Sequence, residues 1–210
     1  RQRQMCIRDR QYIYGTLTNS DGADPLGYSA IMKNPAEFYM PATDAATGRA
    51  TYFSKYDIVR DDYRAVMASC ALPGFCRPVK VGDRYYYDGG VADSIPLHHA
   101  IEHGCTKMVV ILSNPRDFVK KPEAHRPLYK HMLHKYPKTI QSIDNRHINY
   151  QASINLACRL EKEGYVFIFA PSRHMPLSTF SKDAALEQDL YDLGVADYEA
   201  RAEELKHFLN

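Results

Sequence analysis

Long apolar runs are missing from these 210 residues. The longest are Tyr165 to Ala170 and Met108 to Leu112, where a membrane-spanning helix needs about twenty residues, so no span is read. The opening residues have no apolar core of the kind a secretory signal carries. Metal-ligand spacing is missing too: the five cysteines, Cys6, Cys70, Cys76, Cys105 and Cys158, are odd in number and scattered. Such usage suits reduced thiols and sets the expectation of a cytoplasmic chain. No internal repeat and no low-complexity tract occurs. What is present is ordinary for a globular protein: 45% hydrophobic and 25% charged residues, enough for one good-sized core or a core with an appendage.

The formal net charge of +2 is unevenly placed. Residues 1–10 hold four arginines and one aspartate, so the remainder carries −1. This opening has neither hydrophobic period nor helix cap, and it resembles the translated read-through of a sequencing adapter. It is set aside from fold reasoning, and no nucleic-acid partner is expected from it. On this reading the gene begins further upstream.

Residues 12–33 are rich in Gly, Asn, Asp and Ser and read as loop and short turns. Glu37–Met40 and Thr51–Phe53 read as short strands that pair across the turn residues Asp44–Gly48. Asp57–Ser69 shows helical spacing and ends before Pro73-Gly74. The run Arg84-Tyr85-Tyr86-Tyr87-Asp88 favours an extended strand. Gly89-Gly90 stops it, because glycine tolerates positive φ and lets another backbone or a ligand come close. Asp93 or Ser94 then caps a helix from about Ile95 to His103, with Gly104 closing it. Lys107–Leu112 reads as a strand buried on both faces, completing a β-α-β unit. Thr139–Glu163 reads as a long helix ended by Gly164, and Tyr165–Ala170 as a buried strand. Ser181 or Asp183 opens a helix that Gly194 breaks, before a last helix to Leu209.

Asp88 is the leading candidate for chemistry, because a carboxylate at a strand end beside an open glycine turn sits where α/β sheets carry their sites. The competing reading is a turn aspartate that only accepts hydrogen bonds from neighbouring amides. Between Arg116 and Lys138 seven Lys or Arg face two acids, which reads as a solvated face or as a surface for anionic lipid headgroups. His131-x-x-His134 lacks a third ligand at a usual spacing and is not read as a metal site.

Three clusters together resemble the patatin-like phospholipases: Thr43-Asp44 with Thr47-Gly48; Ala68-Ser69-Cys70-Ala71-Leu72-Pro73 with Pro78-Val79; and Asp88-Gly89-Gly90 with Asp93 and Pro96. The resemblance covers roughly Phe38 to Asn114, and from Tyr129 onward the chain is similar to the helical extension of a bacterial branch of that family. It implies a three-layer α/β/α fold with a mainly parallel sheet, here partial, plus a helix-rich C-terminal extension. Residues 11–127 would belong to the catalytic domain and 128–210 to the extension. It also implies a lipid acyl-ester hydrolase with a Ser–Asp dyad and no cofactor. Asp88 would be the general base, with Gly89 and Gly90 shaping the turn beside it. The substrate would be a lipid or another acyl ester, with peripheral contact to an anionic membrane surface. Ser69 would hold a loop near the site.

The family's Gly-x-Ser-x-Gly nucleophile motif and its Gly-rich oxyanion loop are absent from these residues, and Gly27-Tyr28-Ser29-Ala30-Ile31 is no substitute. The chain by itself is therefore expected to be inactive, and its unpartnered sheet edge to make it express poorly. Two other readings stand beside this one: a non-catalytic patatin-like binding or regulatory module, and a Ser-His-Asp hydrolase using His98 or His99.

Overall fold

The tyrosine run does fold as a strand, but in a sheet of a different kind from the one expected. A computed structural model describes residues 10–176 and 183–210. Along the chain come α1 (Tyr28–Lys33), β1 (Tyr39–Asp44), β2 (Ala50–Ser54), α2 (Arg64–Ser69), β3 (Val79–Val81) and β4 (Arg84–Asp88). There follow α3 (Leu97–Glu102), β5 (Met108–Ile111), α4 (Arg126–Met132), α5 (Pro137–Lys162), β6 (Val166–Phe169) and α6 (Ala184–Leu209). The chain groups into two compact units. The first takes residues up to Ile95 together with Lys121–Tyr150, and the second takes Pro96–Lys120 and Gln151–Asn210. The α/β class and the helix-rich C-terminal stretch are as expected. Of the opening segment 1–10, only Arg10 is among the described residues, and it donates to the Met67 carbonyl at 3.3 Å.

In the first unit four strands lie in the order β2-β1-β4-β3, every neighbouring pair antiparallel. The mainly parallel sheet is thus corrected, since the one parallel pair among the described strands is β5 with β6. The strands expected near residues 37–40 and 51–53 do pair, in the register Met40↔Phe53. Successive strand residues point to opposite faces, yet Tyr86 and Tyr87 are both buried. Both faces of β4 are covered there. Tyr86 meets Phe53 edge-on at 4.9 Å, and Tyr87 meets Tyr136 at 5.8 Å. Each such pair is worth about 0.5–1.5 kcal/mol beyond its area. Met40, Ala42, Tyr63, Val91, Ile140 and Ile143 join the same core.

The β1–β2 turn shows how α5 is seated on this sheet. Asp44 Oδ1 accepts from the amides of Ala46 and Thr47 at 2.9 and 2.8 Å, an Asx turn. Gly48 closes it at φ 69°, and a Cβ there would lie 2.5 Å from the Lys138 carbonyl oxygen. Only glycine allows both the left-handed backbone and that approach. Thr139 and Ser142 then donate to the carbonyls of Ala45 and Gly48 at 2.8 and 2.7 Å.

Several local expectations need correction. Residues 12–33 contain a π-helical turn (Ile13–Leu17) and α1 rather than loop alone. The helix expected over Asp57–Ser69 is confined to Arg64–Ser69, because Asp61 takes φ 61° and interrupts the path. Neither Asp93 nor Ser94 caps α3; Pro96 holds that position. The β-α-β unit from β4 through α3 to β5 is not formed, as β4 and β5 belong to different sheets. Gly194 does not break the last helix: α6 runs unbroken from its Asp183 cap to Leu209. A helix-interior glycine costs only about 1 kcal/mol against alanine, which twenty-six residues absorb. Ser181, the other expected cap, lies outside the described residues.

In the second unit β5 and β6 pair in parallel, Met108↔Val166 through Ile111↔Phe169. α6 lays Phe208 against Phe167 and Tyr198 against Phe169, at 5.7 and 6.1 Å. The expectation of a β5 buried on both faces is not met: Met108 and Val110 are covered, whereas Val109 is 41% and Ile111 80% exposed. A parallel pair needs cover on both faces, and among the described residues β5 has it on one. Ile111→Lys is therefore expected to raise the monomeric fraction in size-exclusion chromatography. The melting temperature should move by no more than about 2 °C, as for surface changes generally. Unchanged aggregation would show that the exposed face of β5 is not its cause.

Candidate active site

Strand β4 delivers Asp88 as its last residue, opposite Ala42 of β1. Its backbone is held on both sides. The amide donates to the Ala71 carbonyl at 2.9 Å, and the carbonyl accepts from Thr43 Oγ1 at 2.8 Å. Thr43 is fully buried and its Oγ1 also accepts from the Ala92 amide at 3.2 Å. One hydroxyl thereby ties the end of the strand to the turn that follows.

That turn is a single 3-10 turn, Gly89–Val91. Asp88 Oδ1 accepts the Gly90 amide at 2.7 Å, while Oδ2 accepts no hydrogen bond from the described residues. The two glycines are not in the left-handed region, so positive φ is not the reason for them. Close approach is. A Cβ on Gly89 would stand 2.3 Å from the Pro41 carbonyl oxygen, with backbone and not a movable side chain in the way. Ser69, the last residue of α2, donates to that same oxygen of β1 at 2.7 Å. A Cβ on Gly90 would lie 3.1 Å from Asp88 Oδ1 and 3.4 Å from Arg146 Nη2.

The Gly90 carbonyl is gripped twice, by Ser94 Oγ at 2.7 Å and by Arg146 Nε at 2.6 Å. Arg146 Nη1 also meets Glu123 Oε1 at 2.9 Å. Asp93, past the turn, accepts from the Tyr52 hydroxyl. Burial raises the Asp88 pKa above the usual carboxylate value, against the opposing pull of the Gly90 amide and the Arg146 charge. Asp44 behaves in the opposite way. Burial would raise it, but bonds from Thr47, Arg84 and Ala46 together hold it below the usual range.

The sequence missed Arg146 and Glu123. Their signal was weak: Arg146 lies seven residues after Thr139 and three after Ile143 of the core. Ser29 is exposed on α1, accepting from Arg60 at 2.8 Å. His98 is exposed at the start of α3 in the second unit, and the His99 ring lies 4.0 Å from that of His103. His131 and His134 are exposed, with ring centres 6.4 Å apart. Among the described residues no three His, Cys, Asp or Glu side chains are grouped as metal ligands. No described helix is long and apolar enough to cross a membrane.

Residues 31–101, which hold Asp88, its glycines, Thr43 and Ser69, match the sequence profile of the family described as Patatin-like phospholipase. This segment is similar to that family. Residues 136–210 match a second profile, described as Domain of unknown function (DUF6363). Over 74 residues the chain is 32% identical to an uncharacterized NTE family protein of Mycobacterium bovis, and equally to one of Mycobacterium tuberculosis. Each alignment covers 35% of this chain and 19% of the relative. The chain thus spans about a fifth of the length of the curated relatives it matches. The patatin-like segment ends before α4 and α5 begin, so Arg146 and Glu123 come from outside it.

Proposed function

We propose that this chain carries the aspartate half of a Ser–Asp dyad in a lipid acyl-ester hydrolase, with Asp88 as general base. The observation that carries the reading is the state of one carboxylate. Asp88 is half-buried at a strand end, with Oδ1 tied to the Gly90 amide and Oδ2 accepting no hydrogen bond from the described residues. At its free pKa of about 3.9 an aspartate is a weak base near neutrality. Desolvation strengthens it, while Gly90 and Arg146 favour the ionised form.

In this reading a serine from outside the 210 residues donates its proton to Asp88 Oδ2 as its oxygen attacks the ester carbonyl. The tetrahedral intermediate collapses to an acyl-serine, and the leaving alkoxide takes that proton back. Water then repeats the sequence: Asp88 accepts its proton, the acid is released and the serine is restored. Gly89 and Gly90 serve by letting the turn pack closely against Pro41 and beside the carboxylate. The substrate class is an acyl ester of a lipid, met by a cytoplasmic protein peripherally at an anionic surface. Lys121, Lys130, Lys135 and Lys138 supply the contact.

The test uses a fluorophosphonate probe and p-nitrophenyl esters on the 210-residue chain and on the full translation product of its gene. The full product is expected to label at a serine upstream of Tyr12 and to turn over ester, and the 210-residue chain to do neither. Ester turnover by the 210-residue chain, undiminished by Asp88→Asn, would remove the dyad. A full product that neither labels nor turns over ester favours the non-catalytic binding module.

A further inference from the structure

We propose that Arg146 is a positioning residue for Asp88, supplied by α5 from outside the patatin-like segment. The proposal rests on Asp88 acting as the base. Its own evidence is a set of three donors on one helix. Thr139, Ser142 and Arg146 fall at spacings of three, four and seven, so they share a face of α5. Each donates to a main-chain carbonyl of the patatin-like segment: Ala45 at 2.8 Å, Gly48 at 2.7 Å and Gly90 at 2.6 Å. The first two seat the helix on the β1–β2 turn. The third reaches the residue whose amide holds the Asp88 carboxylate.

Gly90 is thus fixed from both sides, its amide by Asp88 Oδ1 and its carbonyl by Arg146 Nε and Ser94 Oγ. A glycine has no side chain to anchor it, so a turn built on two of them needs external restraint to present a carboxylate in one orientation. Arg146 is suited to this because its planar guanidinium keeps its charge and offers several donors in a fixed fork. Nε is spent on Gly90 and Nη1 on Glu123. The charged groups around the turn are Arg146 from α5, Glu123 behind it from the segment before α4, and Asp93, which accepts from Tyr52 of β2. Arg146 favours the ionised form of Asp88 against the larger, opposite effect of burial, so it aims the base and offsets part of that effect. The segment matching the second family is on this account part of the catalytic apparatus and not an appendage.

The experiment is steady-state ester hydrolysis against pH in the full translation product, comparing the unmodified protein with Asp88→Asn, Arg146→Gln and Arg146→Lys. Arg146→Gln is expected to lower kcat on the order of 10²-fold, the scale of a misplaced catalytic group, with KM little changed. The acidic limb of kcat/KM should move to higher pH, because removing the cation makes the Asp88 carboxylate easier to protonate. Arg146→Lys keeps the charge and loses the fork, so kcat should fall while the limb stays near its original position. Unaltered kcat and limb in Arg146→Gln, beside an inactive Asp88→Asn, would overturn the positioning role and leave the dyad standing. Full turnover in Asp88→Asn would remove the dyad itself. If circular dichroism shows that Arg146→Gln does not fold, Arg146→Lys decides, and an unchanged kcat there overturns the proposal.

Discussion

Asp88→Asn in the full translation product is expected to lower kcat/KM for an acyl ester by about 10²–10⁴-fold, the usual contribution of a positioned general base. The substitution keeps the shape of the side chain, and Asn Oδ1 can still accept the Gly90 amide. What it removes is the capacity of the open oxygen to take a proton. Stability should respond differently, and the sign follows from burial. The folded-state pKa of Asp88 is raised above its unfolded value. The folded protein therefore binds that proton more tightly, and stability falls as pH rises between the free value of about 3.9 and the raised one. At neutral pH the ionised Asp88 is a net cost to the fold. The melting temperature of Asp88→Asn at pH 7 should accordingly be no lower than that of the unmodified protein. Loss of activity without loss of stability separates a base from a turn-forming aspartate, for which the order would be reversed. Scanning calorimetry beside the ester assay measures both.

Gly89→Ala is the second large effect, and it should appear in stability. The added methyl carbon would stand 2.3 Å from the Pro41 carbonyl oxygen and 2.7 Å from Pro41 Cβ. Neither neighbour can swing aside, because Pro41 lies in β1 between β2 and the end of β4, and Ser69 holds its carbonyl. Relief requires β1 and the turn to part, and overpacking of this kind costs about 1–3 kcal/mol and occasionally more. For a domain of this size that lowers the melting temperature by roughly 3–10 °C. Gly90→Ala provides the contrast. Its nearest contact is the Asp88 carboxylate at 3.1 Å, with the tip of Arg146 at 3.4 Å. Side chains can give way where a strand cannot, so turnover should suffer more than the fold. Equal melting temperatures for Gly89→Ala and the unmodified protein would show that β1 yields after all.

These effects also mark where sequence reasoning succeeded and where it ran out. Asp88 at a strand end was legible because three tyrosines favour extension and Asp-Gly-Gly ends it. The family was legible because the spacing of Thr43-Asp44, the Ser69 cluster and Asp88-Gly89-Gly90 is longer than chance supplies. The role of the glycines was only half legible. Sequence offers both positive φ and close approach as reasons for a glycine, and only the position of Pro41 selects the second. The mainly parallel sheet was what the resemblance implied and was not read from the strands. Alternation and apolar runs report which faces are covered, and β4 is covered on both faces by Phe53 and Tyr136 within an antiparallel sheet.

By itself the sequence determined the α/β class, the long helix near 139–163, the Asp88 turn and the lack of a Gly-x-Ser-x-Gly serine. Each depends on neighbours within a few residues, where propensity and spacing act directly. Tertiary structure alone decided that Arg146 reaches Gly90 across fifty-six positions, that Ser69 and Gly89 meet at one carbonyl, and that β5 leaves Ile111 uncovered. Those are contacts between residues far apart in the chain, set by how the helix and the strands pack, and no local pattern encodes them.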